Sequence, residues 1–133
     1  MFILLHITWA CWLGSIVFFS FVVAPTVHAV LERPDAARLL RTMFPRYYLF
    51  GIVCGVLGIG SALVVANDLK LTVPLVIATV LSAYARQVLA PALDEARRST
   101  DDERFAHLHV QSVRLNLVTL AALLLAGLGL AGL

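Results

Sequence analysis

The stretch YYLFGIVCGVLGIGSALVVA (47–66), NDLK (67–70), LTVPLVIATVLSAYARQVLAPAL (71–93) decides the fold. Each apolar run is as long as a helix needs to cross a bilayer, whose hydrocarbon layer of ~30 Å takes about 20 residues at ~1.5 Å each. Asn67-Asp68-Leu69-Lys70 reads as a turn, and so short a link makes the two helices antiparallel neighbours. Outward from this hairpin the pattern repeats. Residues 1–31 form a first span interrupted by His6, a few hydroxyls, Gly14 and Pro25. A last span over about 101–131 opens with Thr100 and Glu103, at capping-box spacing.

Composition agrees with these spans. The 133 residues are 61% hydrophobic and 14% charged, against roughly 45–50% and about 25% in soluble domains. The expected fold is therefore an all-α, integral membrane four-helix bundle in one domain. Its spans are expected over about 1–31, 47–66, 71–93 and 101–131. The opening run lacks a positive n-region and is longer than a signal h-region, so it is expected to stay as the first helix.

Charge sets the expected orientation. Arg33, Arg38, Arg41 and Arg46 lie in the first link and Arg97, Arg98 and Arg104 in the third, whereas the second has Lys70 against Asp68. Cytoplasmic loops collect positive charge, which puts both termini outside a bacterial-type inner membrane. Within the first link, Ala36, Leu39, Leu40, Met43 and Phe44 share one face with Asp35, Arg38 and Arg41 opposite. This spacing predicts a short interfacial helix over about 34–44. A net charge of +2 suggests no nucleic-acid partner.

Small residues mark contact faces. Gly51 and Gly55 form a GxxxG pair, serving packing within the chain or a dimer face, and a homo-oligomer is expected. Trp9 and Trp12 are expected at the headgroup level, and Cys11 and Cys54 as buried small hydrophobes.

Two polar constellations carry possible chemistry. Arg104, His107, Gln111 and Arg114 recur at spacings of three and four on the last span, beside His109, Ser112 and Asn116, so one broad polar face is expected to look inward. Arg86 lies at the depth of Arg114 with no acid in the middle of any span. Such charges are paired or functional. Arg114 either reaches Asp94, Glu95 or the Phe21 carbonyl freed by Pro25, or joins Arg46 and Arg86 in an anion pocket with His109, Gln111 and Asn116, since the guanidinium fork suits carboxylate or phosphate. At the other face stand His6 and Lys70. No HExxH, paired CxxC or Walker loop occurs, and no metal site is expected.

GSIVFFSFVVAP (14–25), MFPRYY (43–48) and DDERFAHLHVQSVRLNL (101–117) together resemble the transmembrane protein 205 family, over almost the whole chain. That resemblance implies a four-helix membrane domain and supplies no catalytic residues. LHITWACWLG (5–14) resembles the first-helix opening of haem-dependent membrane protoporphyrinogen oxidases and of copper-resistance membrane proteins. In the oxidases the matching histidine ligates haem, which implies haem b on His6, and Lys70-Leu71 resembles their Lys-Leu pair. Their Pro-Arg and Tyr-His appear here only as Pro25 and His28. Lys70 would be a second ligand or sit near a propionate. Three function classes follow: a haem redox protein, a carrier or channel for a small solute or metal ion along the last helix, and an assembly or trafficking factor that binds partner membrane helices.

Overall fold

The computed structural model describes residues 2–65 and 67–132. Expected helix ends at Met1 and Ala66 lie outside them. Four helices follow one another: α1 (Phe2–Val30), α2 (Arg33–Val65), α3 (Leu69–Arg98) and α4 (Asp102–Leu130), each long and apolar enough to cross a membrane. The protein is a multi-pass membrane protein of all-α fold. At ~1.5 Å per residue these helices run about 44–50 Å, well beyond the ~30 Å hydrocarbon layer.

The outer surface explains why lipid is the solvent. Ile3, Val64, Val80 and Leu125, one from each helix, are each more than half exposed. Inside, burial follows size and hydroxyl content more than apolarity. The buried stripe of α4 is Ser112, Thr119, Ala122, Leu123 and Ala126. Lipid offers no hydrophobic force between helices, so small residues that let backbones close up win the inner face.

Glycines seat the tryptophans. A Cβ on Gly51 would stand 2.7 Å from Trp12 Nε1, and one on Gly127 2.6 Å from Trp9 Cζ2. The indole of Trp9 thereby reaches α4 and donates from Nε1 to the Leu123 carbonyl at 2.7 Å. Trp12 is buried in the core with Leu5, Ile16, Leu75 and Leu123. The expectation of both rings at headgroup level thus fails for Trp12, because Gly51 and Gly55 open a slot for it. The GxxxG pair packs within the chain. Cys54 is buried as expected, whereas Cys11 is exposed.

The segment expected as a separate interfacial helix is helical but continuous with the second span, as one helix over Arg33–Val65. Pro45 sits inside it without breaking it. Ala36 and Leu40 pack with Phe19 and Val27 of α1 in one cluster, which holds the segment upright against α1 instead of flat on a membrane surface.

Helix ends are set by local chemistry. Asn67 takes a left-handed φ of 45° and its N–H reaches the Ala62 carbonyl at 2.9 Å. Asp68 caps α3 by accepting from Lys70 N at 3.0 Å. The cap of α4 is Asp101, which accepts from Arg104 N at 3.1 Å, whereas Thr100 carries a φ of 53° and donates to the Ser99 carbonyl. The sequence spacing had favoured Thr100 as cap.

The two halves also repeat. A π-helical turn spans Phe19–Val23 before Ala24-Pro25, and another spans Ala85–Leu89 before Ala90-Pro91, each 66 positions further on. Proline cannot donate to the carbonyl four residues back. In both helices the turn just before it widens: Ala24 N–H bonds Phe19 O and Ala90 N–H bonds Ala85 O, five residues apart. The same offset maps Asp35 and Arg38 onto Asp101 and Arg104. Beyond these turns the single core divides, with Phe19, Val27, Ala36 and Leu40 on one side and Tyr48, Ala85 and Leu89 on the other.

Candidate functional site

The divided end holds a cavity of about 830 Å³ with walls from all four helices. It lies between the two helical hairpins, and matching positions of the two halves line it: Ala24 with Ala90, His28 with Asp94, Pro34 with Thr100. Leu40, Phe44, Leu89 and Phe105 supply apolar wall. Among the described residues the lining has Arg33, Arg41, Arg86, Arg97 and Arg98 against the carboxylates of Asp94 and Asp102. Arginines thus outnumber aspartates in the lining by five to two.

The arginines are only partly neutralised. Asp94 is shared, accepting from Arg98 at 2.6 Å and from Arg41 at 3.4 Å. Arg97 lies over the Phe105 ring, 5.0 Å from its centroid, and reaches the Ala37 carbonyl at 3.5 Å. Arg86 is half-buried on α3, and its Nε donates to the Pro45 carbonyl at 3.3 Å. Among the described residues its Nη groups have no hydrogen-bond or ion-pair partner. One bond thus aims the guanidinium across the gap between α3 and α2 and leaves most of its five donors open.

Outside the lining, a hydrogen-bonded chain ties three helices together. Tyr47 OH donates to Asn116 Oδ1 at 2.7 Å, and Asn116 Nδ2 donates to Ser20 Oγ at 2.9 Å, tying α2, α4 and α1 together. Below it, the gap among Trp12, Tyr48, Ser82 and Thr119 is too small to hold a water molecule.

Of the expected anion pocket, Arg86 and His109 line this cavity. Arg46, Arg114 and Gln111 do not, and all three are exposed; Gln111 pairs with His107 at 3.2 Å. Asn116 does not line it either, being held between Tyr47 and Ser20. The broad polar face of α4 was expected to look inward, and this is corrected: Arg104, His107, Gln111 and Arg114 are exposed, because the Ser112–Thr119–Ala126 stripe packs more closely. Counted from the far ends of their helices at ~1.5 Å per residue, Arg46, Arg86 and Arg114 stand about 24–29 Å along, at the edge of a ~30 Å hydrocarbon layer. Arg46 and Arg114 can snorkel there. Arg41, Arg97 and Arg98 were not assigned to the pocket from sequence, although their place in the basic links was the available signal.

His6 and Lys70 sit at the opposite end, both exposed, and neither lines the cavity. His6 Nδ1 is 2.8 Å from the Phe2 carbonyl on its own helix.

A family profile described as "Domain of unknown function (DUF4149)" matches residues 7–102, from α1 to the first residue of α4. The chain belongs to that family. This DUF4149 chain is 34% identical over 109 residues to an "Uncharacterized protein" of Aquifex aeolicus (strain VF5), covering 81% of this chain and 78% of the relative. No solved structure matches it. The residues that the family profile matches include both π-turns, Arg86 and the Arg41–Asp94 pair.

Proposed function

We propose that this protein is a membrane-embedded anion receptor, which holds a phosphate or carboxylate group in the arginine-lined cavity. The observation that carries the reading is Arg86, which lines a cavity with five arginines and two aspartates, has its Nε on the Pro45 carbonyl and has no partner for its Nη groups among the described residues. Planar guanidinium donors bind such oxyanions in bidentate fashion. Arg97, stiffened over Phe105, supplies a second pre-set fork. The positive-inside rule puts this end in the cytoplasm and both termini outside.

The test is thermal unfolding of the detergent-solubilised protein, titrated with inorganic phosphate and with a short-chain phosphatidate. A ligand binding only the folded state stabilises it by about 2.7 kcal/mol at a hundred times its Kd. Either ligand should raise the midpoint, and Arg86→Gln should abolish the rise while leaving the unliganded midpoint within a few degrees. If neither ligand stabilises the wild type, the reading is wrong.

A further inference from the structure

We propose that the bound group is the anionic headgroup of a membrane lipid, which reaches the cavity sideways through a gap between α1 and α4. The inference rests on the anion reading above and names its ligand class.

The gap follows from how the bundle divides. No Cα of Phe19–Val30 comes within 8 Å of α4, although the earlier part of α1 packs on it. The opposite side of the cavity is bridged, by Arg41 to Asp94 and by Arg97 to the Ala37 carbonyl. The open side is flanked by His28 and His109, both exposed cavity-lining residues. Phe21, 65% exposed just before it, shows that this flank of α1 faces acyl chains.

Depth and shape agree. Arg86 stands about 25 Å from the far end of α3, where a ~30 Å hydrocarbon layer gives way to headgroups. The Asn116 amide donates to Ser20 at the start of the open stretch of α1, so the gap is tied there and a headgroup can enter beyond it while its tails stay in the bilayer. The volume of about 830 Å³ falls in the range of pockets for organic ligands, and Leu40, Phe44 and Leu89 give it apolar wall that a bare inorganic ion would leave uncovered. Basic pockets between membrane helices are suited to acidic lipid headgroups.

Native mass spectrometry of the whole protein, released from mild detergent after exposure to equimolar phosphatidylglycerol and phosphatidylcholine, tests this. One phosphatidylglycerol per chain should be retained, with at least tenfold preference over phosphatidylcholine. Arg86→Gln should bring that ratio close to one. Arg46→Gln and Arg114→Gln, which change exposed arginines outside the cavity, should leave it within twofold. Should Arg86→Gln fail to fold, Arg97→Gln is measured in its place and should lower the ratio at least threefold. Retention that Arg46→Gln reduces as much as Arg86→Gln means a surface annulus and overturns the proposal. Stabilisation by inorganic phosphate that needs Arg86, with no lipid retained, also overturns it but leaves the anion receptor standing. Loss of both responses removes both readings.

Discussion

Gly55→Ala should destabilise the bundle although it replaces a poor helix former by the best one. The added Cβ would land on Thr79 Oγ1 and stand 3.0 Å from Thr79 Cβ and 3.0 Å from Trp12 Cζ3. Neither neighbour yields easily. The Thr79 hydroxyl is held on the Leu75 carbonyl at 2.7 Å, and Trp12 is 2% exposed in the core. Overpacking of this kind costs about 1–3 kcal/mol. Alanine's helical advantage returns at most about 1 kcal/mol, leaving a net loss of up to about 2 kcal/mol relative to wild type and up to about 3 kcal/mol relative to a glycine-to-alanine change without the clash. Gly60, five residues on along the same helix, has nothing within 4 Å of an added Cβ, so Gly60→Ala keeps the gain without the clash. Unfolding by SDS in mixed micelles, followed by tryptophan fluorescence, measures both against wild type. Equal midpoints for the two variants would refute the packing argument. So would a Gly55→Ala protein of unchanged stability that has lost a dimer, since the GxxxG pair would then act between chains.

Asp94→Asn frees Arg41 and Arg98 together; such partly exposed pairs contribute about 0–1 kcal/mol, so stability should hardly change while phosphate or phosphatidate binds several-fold tighter in the thermal titration. Asp101→Ala removes the cap of α4 and should cost about 1 kcal/mol in the SDS titration, whereas Thr100→Gly relieves a left-handed β-branched residue and should stabilise by about 1 kcal/mol. Asn116→Leu breaks the bonds to both Tyr47 and Ser20 and should cost roughly 1–2 kcal/mol, with faster hydrogen exchange at the π-turn of Phe19–Val23 as the local readout.

Span number and helical class were legible in the residues because both follow from the bilayer. Twenty-odd apolar residues leave a chain no alternative to a helix when every backbone group must be satisfied internally. The turn at Asn67-Asp68 and the gathering of arginines at each of the other two links were equally plain, since they depend on local conformation and charge. Which face of each helix turns inward was not legible. An apolar-inside pattern presupposes water outside, and here the lipid-facing residues are as apolar as the core, so the polar stripe of Arg104, His107, Gln111 and Arg114 gave a false inward signal. Only packing shows that Ser112, Thr119 and Ala126 approach most closely, that Trp12 enters a glycine slot, and that α2 continues through Pro45. The site shares this divide. Arg86 stood out in sequence as an arginine without an acid, but its partners were misjudged, because Arg41, Arg97 and Arg98 reach the cavity only after the π-turns at Pro25 and Pro91 part the two hairpins. The amino-acid sequence by itself determined a four-helix membrane chain that gathers nine of its ten Lys and Arg residues, and seven of its eight acids, at one end. The tertiary structure decided that this end divides around a cavity, because helix contacts in lipid depend on the close fit of small side chains, which no one-dimensional pattern of hydrophobicity records.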